Sequence, residues 1–158
     1  MRLLAIYLND QLALGVAGRE LARRAERENT GTELGAFLQR LALDVTEDVD
    51  TLERIMKRLD LPLSSVKPPL ALVAERVARL KPNGRVRGYS PLSRLLELES
   101  LALGLEGKKV LWSNLRDLAG VNGRLDDIDF EALIERARRQ RDELEPHRVE
   151  AGRIALAA

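Results

Sequence analysis

The stretch Thr32–Leu61 places Leu34, Leu38, Leu41, Val45, Leu52, Ile55 and Leu59 at alternating spacings of four and three. That rhythm draws a single apolar stripe along a helix, whereas a half-buried strand would alternate at every second residue. A long helix with one narrow stripe must bury it against other helices, so the seam predicts a bundle. The series has one break: Asp48 stands where the next apolar residue belongs. An inward carboxylate in a bundle core needs a partner, because burying an unpaired charge costs several kcal/mol.

The chain before the seam reads as a helix over about 2–28, with Leu3, Tyr7, Leu14, Ala17 and Leu21 on one stripe and Asp10 among them. Asn29-Thr30-Gly31-Thr32 breaks it, with Gly31 suited to a helix stop and Thr30 or Thr32 to the next cap. So short a break makes the first two helices, 2–28 and 32–61, antiparallel neighbours. Residues 62–90 form a long crossover, rich in proline, with a short amphipathic helix over Leu70–Leu80. Ser90-Pro91 is an N-cap followed by the first helical position, and it opens a third helix over 91–119. That helix is apolar on nearly every side, which predicts either a central position or contact with another subunit. Leu92, Leu103 and Val110 share a stripe there with Glu99 and Glu106.

Asp129 caps a fourth helix over 129–148, with Phe130, Leu133, Ala137 and Leu144 facing in and Pro146 bending or ending it. Its exterior carries Glu135–Arg139, Arg139–Glu143 and Arg138–Asp142 at ion-pair spacing, a solvated charge lattice. Two tight helical hairpins joined by one long connection make an all-α four-helix bundle, in which the crossover returns along the bundle and leaves the second and third helices parallel. The 158 residues are read as one domain.

Composition narrows the function classes. The formal net charge is +1, so no whole-protein field draws nucleic acid or a membrane surface. No cysteine is present, which excludes disulfides, thiolate metal sites and cysteine nucleophiles. The N-terminal apolar run is short and interrupted by Asn9, Asp10 and Gln11, unlike a signal peptide or a membrane span, so a cytoplasmic location is expected.

One long crossover between the second and third helices is where the chain resembles the ferritin-like bundles. The phrase GRVRGYSPLSRLLELESLALGLEGK, Gly84–Lys108, also resembles a bacterial branch of that superfamily. The resemblance covers nearly the whole chain and implies the up-down-down-up fold; it brings no activity with it. Ferritin-like di-iron proteins place a Glu on each of two helices and Glu-x-x-His on each of the other two. The one histidine here, His147, follows Pro146 and completes no such motif. At the corresponding inward positions stand Val45 and Asp48 on the second helix, and Ala137 and Gln140 on the fourth.

Four acidic residues remain as inward candidates: Asp10, Asp48, Glu99 and Glu106. If they converge, they form a carboxylate-only site for a hard cation such as Mg²⁺ or Mn²⁺. If they do not, each pairs with an Arg, a helix end or an amide, and this is the expectation, with no metal and no cofactor. His147 is expected to cap or to lie at the surface, and Trp112 to anchor core or interface. Ser113 is read without a base partner and so not as a nucleophile. Arg76, Arg79, Lys81, Arg85 and Arg87 form the densest basic stretch, suited to phosphate or nucleic acid but explained equally by a crossover lying on acidic helix faces. The function expected is non-catalytic binding or assembly as a homo-oligomer. A carboxylate-only metal protein or oxidoreductase and a binder of a small apolar ligand are the alternatives.

Overall fold

The structure, a computed structural model, describes residues 2–64 and 89–157. The expected helix over Leu70–Leu80 and the basic stretch from Arg76 to Arg87 lie outside the described residues. Among the described residues the regular structure is helical: α1 (Arg2–Glu28), α2 (Glu33–Arg58), α3 (Pro91–Asn122) and α4 (Phe130–Leu156). They pack as an all-α four-helix bundle. No helix among the described residues is long and apolar enough to cross a membrane.

Local chemistry sets the helix ends. Thr32 caps α2 by accepting from the Gly35 N–H, Ser90 caps α3 by accepting from the Ser93 N–H, and Asp129 caps α4 by accepting from the Ala132 N–H. Pro91 occupies the first turn of α3, where its missing N–H costs nothing. Gly31 and Gly123 take left-handed backbone after α1 and α3. α2 stops at Arg58, three residues short of the expected Leu61. There Asp60 turns left-handed and the Leu61 N–H reaches back to the Met56 carbonyl.

Contacts between helices give their directions. Arg40 meets Glu143 and Glu47 meets Arg136, so α2 and α4 run antiparallel. Tyr7 meets Asn114 and Arg24 meets Glu97, so α1 and α3 are antiparallel too. The hairpins α1–α2 and α3–α4 are the closely packed pairs; α1–α3 is looser and α2–α4 looser still. Both described ends of the crossover are fastened to α1. The Asn9 amide donates to the Pro62 carbonyl and accepts from the Ser64 N–H, while the Asn29 amide donates to the Tyr89 hydroxyl.

The α2 seam is buried from Leu34 to Leu59 as expected, Asp48 included. The α1 stripe is different. Its inner face is Leu8, Leu12, Ala13, Ala17, Leu21, Ala22 and Ala25, while Leu3, Leu14 and Asp10 are exposed. α1 lies so close to α2 that alanines fill the contact, and a stripe chosen by its leucines is rotated away from the true one. On α3 the same happens: Leu103 and Val110 are exposed, and Leu95, Leu98, Leu101, Leu105, Leu111 and Leu115 face in. On α4, Ile134 is buried in place of the half-buried Leu133.

α4 does not end at Pro146. It continues to Leu156, because Ala151 is buried in the core and Ala155 packs against the same cluster. Packing holds the helix across the hydrogen bond that proline removes. The expected charge lattice is re-paired. Arg138 binds Glu135, Glu143 binds Arg40 across the helices, and Glu145 sits between Arg148 and Arg141, which hold its carboxyl down at about 2.

The tightest constraint on the α1–α2 hairpin is Gly35, where an added Cβ would lie 2.2 Å from the Asn29 carbonyl oxygen. Gly35→Ala is expected to lower stability by about 1–3 kcal/mol, overpacking outweighing alanine's better helix propensity. Urea unfolding of the two proteins measures it.

Candidate functional site

Two apolar clusters fill the bundle. One runs through Leu21, Leu41, Val45, Leu105 and Leu144; the other through Leu12, Val49, Leu111, Trp112 and Ile134. Between them lies a polar layer. Asp48 enters from α2 in the place between Val45 and Val49, Lys108 from α3 between Leu105 and Leu111, and Gln140 and Arg136 from α4.

The layer is closed by hydrogen bonds. The Lys108 Nζ donates to Asp48 Oδ2 and to Gln140 Oε1, each at 2.6 Å. Arg136 donates to the other Asp48 oxygen through Nη2 and to Glu47 through Nη1 at 2.8 Å. The Gln140 amide donates to Asp44 at 2.7 Å. Asp48 and Lys108 have side chains only 6% and 12% exposed. Burial pushes the Lys108 ammonium below the ordinary lysine range, and the Asp48 carboxylate partly offsets that. Asp48 is thus saturated by two cations. Chemically this is a fixed internal salt bridge across three helices.

α1 brings no charge to this layer. At its level stand Gly15 and Gly18, facing Gly104 and Gly107 of α3 across a groove of about 560 Å³. The groove walls are mostly apolar, and Asp48, Lys108, Glu97, Glu99 and Trp112 lie along them.

The four candidate carboxylates do not converge. Asp48 alone is buried in the bundle. Asp10 is exposed on the outer side of α1, Glu99 is half-buried beside the groove, and Glu106 is exposed and paired with Lys109 on its own helix. The rotation of the α1 and α3 stripes accounts for all three. Among the described residues no group of three or more His, Asp or Glu side chains stands close enough to hold a metal. His147 is half-buried, stacked on Phe37 with ring centroids 5.6 Å apart. Ser113 donates to the Lys109 carbonyl of its own helix. Trp112 is a core anchor, packed against Phe130.

Lys108 was legible in principle: it follows Leu101 and Leu105 at the same four-and-three rhythm. A lysine among leucines reads as an exterior residue unless a buried acid is already known to need it. Glu97 was missed for the same reason. It is 1% exposed, four residues before Leu101. Its Oε2 accepts from the Tyr89 hydroxyl at 2.8 Å, and Arg24 stands 3.1 Å from its Oε1, within ion-pair distance but not aligned as a hydrogen bond. Arg94 lies over the Tyr89 ring. Burial raises the Glu97 carboxyl above the ordinary range, against the opposing pull of Tyr89 and Arg24, and burial raises the Tyr89 hydroxyl as well.

Compared with protein-family models, with curated proteins and with solved structures, the chain matches none.

Asp48→Asn leaves the buried Lys108 without its counter-ion and Arg136 with Glu47 alone, and is expected to cost about 3–5 kcal/mol. Adding Lys108→Met should restore most of that loss, which chemical denaturation of the single and double variants tests as a cycle. Glu97 predicts a pH dependence. Its folded value lies above the ordinary 4.5, so between the two the folded state holds more protons and stability falls as pH rises through that window. Glu97→Gln should flatten the fall and be the more stable protein at neutral pH, as read from unfolding midpoints over a pH series.

Proposed function

We propose that this chain is a ferritin-like bundle of the up-down-down-up kind whose centre is an internal salt bridge instead of a di-metal site, and whose work is binding or assembly. Support for the fold comes from the antiparallel pairs α1–α2, α3–α4, α1–α3 and α2–α4, which leave α2 and α3 parallel on a diagonal. One observation carries the functional reading. The Lys108 ammonium, with the Arg136 guanidinium beside it, occupies the coordination space of Asp48, the inward carboxylate of the seam. A bound divalent cation would have to displace both, leaving the buried Lys108 ammonium without its counter-ion and Arg136 with Glu47 alone. The chain is therefore proposed as non-catalytic, with no resident cofactor.

Assembly is supported by apolar side chains left outside. Leu3, Ile6 and Leu14 on α1 and Leu103 and Val110 on α3 are more than half exposed. Exposed leucines scattered singly need no partner, but Leu14 and Leu103 share the looser α1–α3 side of the bundle. A homo-oligomer, in the simplest case a dimer, covers such a side.

Expression in manganese- and iron-supplemented medium, followed by elemental analysis, is expected to give no stoichiometric metal, and added ions should not move the melting temperature. Multi-angle light scattering on the same sample should give a mass above the monomer's. Stoichiometric metal with a raised melting temperature refutes the salt-bridge centre, and a clean monomer at high concentration removes the assembly half.

A further inference from the structure

The groove between α1 and α3 has the size of a small-molecule site, about 560 Å³ against a usual range of about 300–1,000 Å³. Its openness comes from glycine. A Cβ at Gly18, Gly104 or Gly107 would meet nothing within 4 Å, so these positions leave room that the fold does not use. Glycine in a helix interior costs about 1 kcal/mol relative to alanine, and at these three no close packing explains the cost.

Two donors near the groove are incompletely satisfied, Lys108 at its wall and the Trp112 indole beneath it. Both belong to α3 and stand four residues apart, so they share one face about 6 Å apart along the axis. An ammonium carries three N–H donors. Lys108 gives one to Asp48 and one to Gln140, and among the described residues the third has no acceptor. The Trp112 indole N–H is shut off from water, in a residue 1% exposed, and has no acceptor among the described residues. A buried donor without an acceptor is uncommon and points to a missing partner. Glu97 Oε1, also along the groove, has Arg24 at ion-pair distance, so the group left with capacity toward the groove is the Lys108 donor, and the partner it fits is an acceptor.

The charge around them decides its kind. Asp48, Glu97 and Glu99 also lie along the groove, and Asp48 is 2.6 Å from the Lys108 nitrogen. A carboxylate or phosphate placed there would face these acids at close range. We propose that the α1–α3 groove binds an elongated, neutral apolar molecule bearing a carbonyl oxygen, which accepts the free N–H of Lys108 while the hydrocarbon lies along Leu14, Gly18, Leu103 and Gly107. The ligand class is that of long-chain esters, ketones or quinones. The inference rests on the binding half of the function proposed above and names its ligand.

Prodan, a neutral aromatic ketone whose emission reports both polarity and hydrogen bonding to its carbonyl, is a suitable probe for the intact chain. Titration is expected to saturate with blue-shifted emission. Gly107→Leu fills the groove at a position where a Cβ meets nothing, so the fold is retained and affinity drops roughly tenfold or more. The compensated double variant Asp48→Asn with Lys108→Met should weaken binding by roughly threefold to tenfold and shift the remaining emission further to the blue, because the hydrogen bond is lost. Methyl palmitate should displace the dye, and palmitate should do so more weakly. Absence of saturable binding, equal binding by Gly107→Leu, or stronger competition by palmitate overturns the proposal. A dimer that Gly107→Leu dissociates, with no dye bound, assigns the groove to a second copy and also overturns it. Failure of dye binding in a metal-free assembled protein leaves the salt-bridge reading standing; stoichiometric metal refutes that reading whatever the dye does.

Discussion

The structure depends on how one buried carboxylate is neutralised. Asp48 sits in the middle of the α2 seam, and the bundle cannot close around it unless positive charge comes to meet it. Lys108 from α3 and Arg136 from α4 do so, and Gln140 takes a second Lys108 hydrogen bond while passing one to Asp44. Three helices are thereby locked in register at one height. A layer of this kind adds little net stability over an apolar one, since desolvation offsets most of the attraction. It does penalise any slip that would leave one charge unpaired. Both apolar clusters end at this layer, so it also divides the core.

α1 stands apart from that arrangement. It packs on α2 through alanines and on α3 only loosely, and it brings glycines to the level of the polar layer. The groove lies where those glycines face Gly104 and Gly107 of α3, beside a polar layer that the other three helices complete. At the far end of the bundle a second buried acid, Glu97, ties Tyr89 and Arg24 together, and Asn29 joins the Tyr89 hydroxyl to the end of α1. With the Asn9 contacts at the other end, both ends of the crossover are held to the helix that the polar layer leaves free.

Features whose causes are local were legible in the residues. Thr32, Ser90 and Asp129 cap helices because a short oxygen-bearing side chain before a helix satisfies its first free N–H groups, wherever that helix then packs. The α2 seam is legible because large apolar residues mark it on both sides of its single break at Asp48. The inner face of α1 was legible only in part: Ala17 and Leu21 are buried as expected, but alanine marks a close contact as well as an indifferent position, and only the neighbour's distance tells them apart. Asp10, Glu99 and Glu106 were misplaced by that rotation, and Lys108, Arg136 and Glu97 escaped notice because long charged side chains are usually exterior. The end of α4 was masked by Pro146, a local signal that packing at Ala151 and Ala155 overrides.

By itself, then, the chain's order of residues determined four helices, their caps, two tight hairpins and one buried acid in a core seam, since each follows from the spacing and chemistry of neighbours in sequence. Which cations answer Asp48, which second acid is buried, and that a groove opens between α1 and α3 were decided only in three dimensions. Those outcomes depend on helix rotation and separation, and a rotation of a few tens of degrees exchanges an inward side chain for an outward one without changing a single residue.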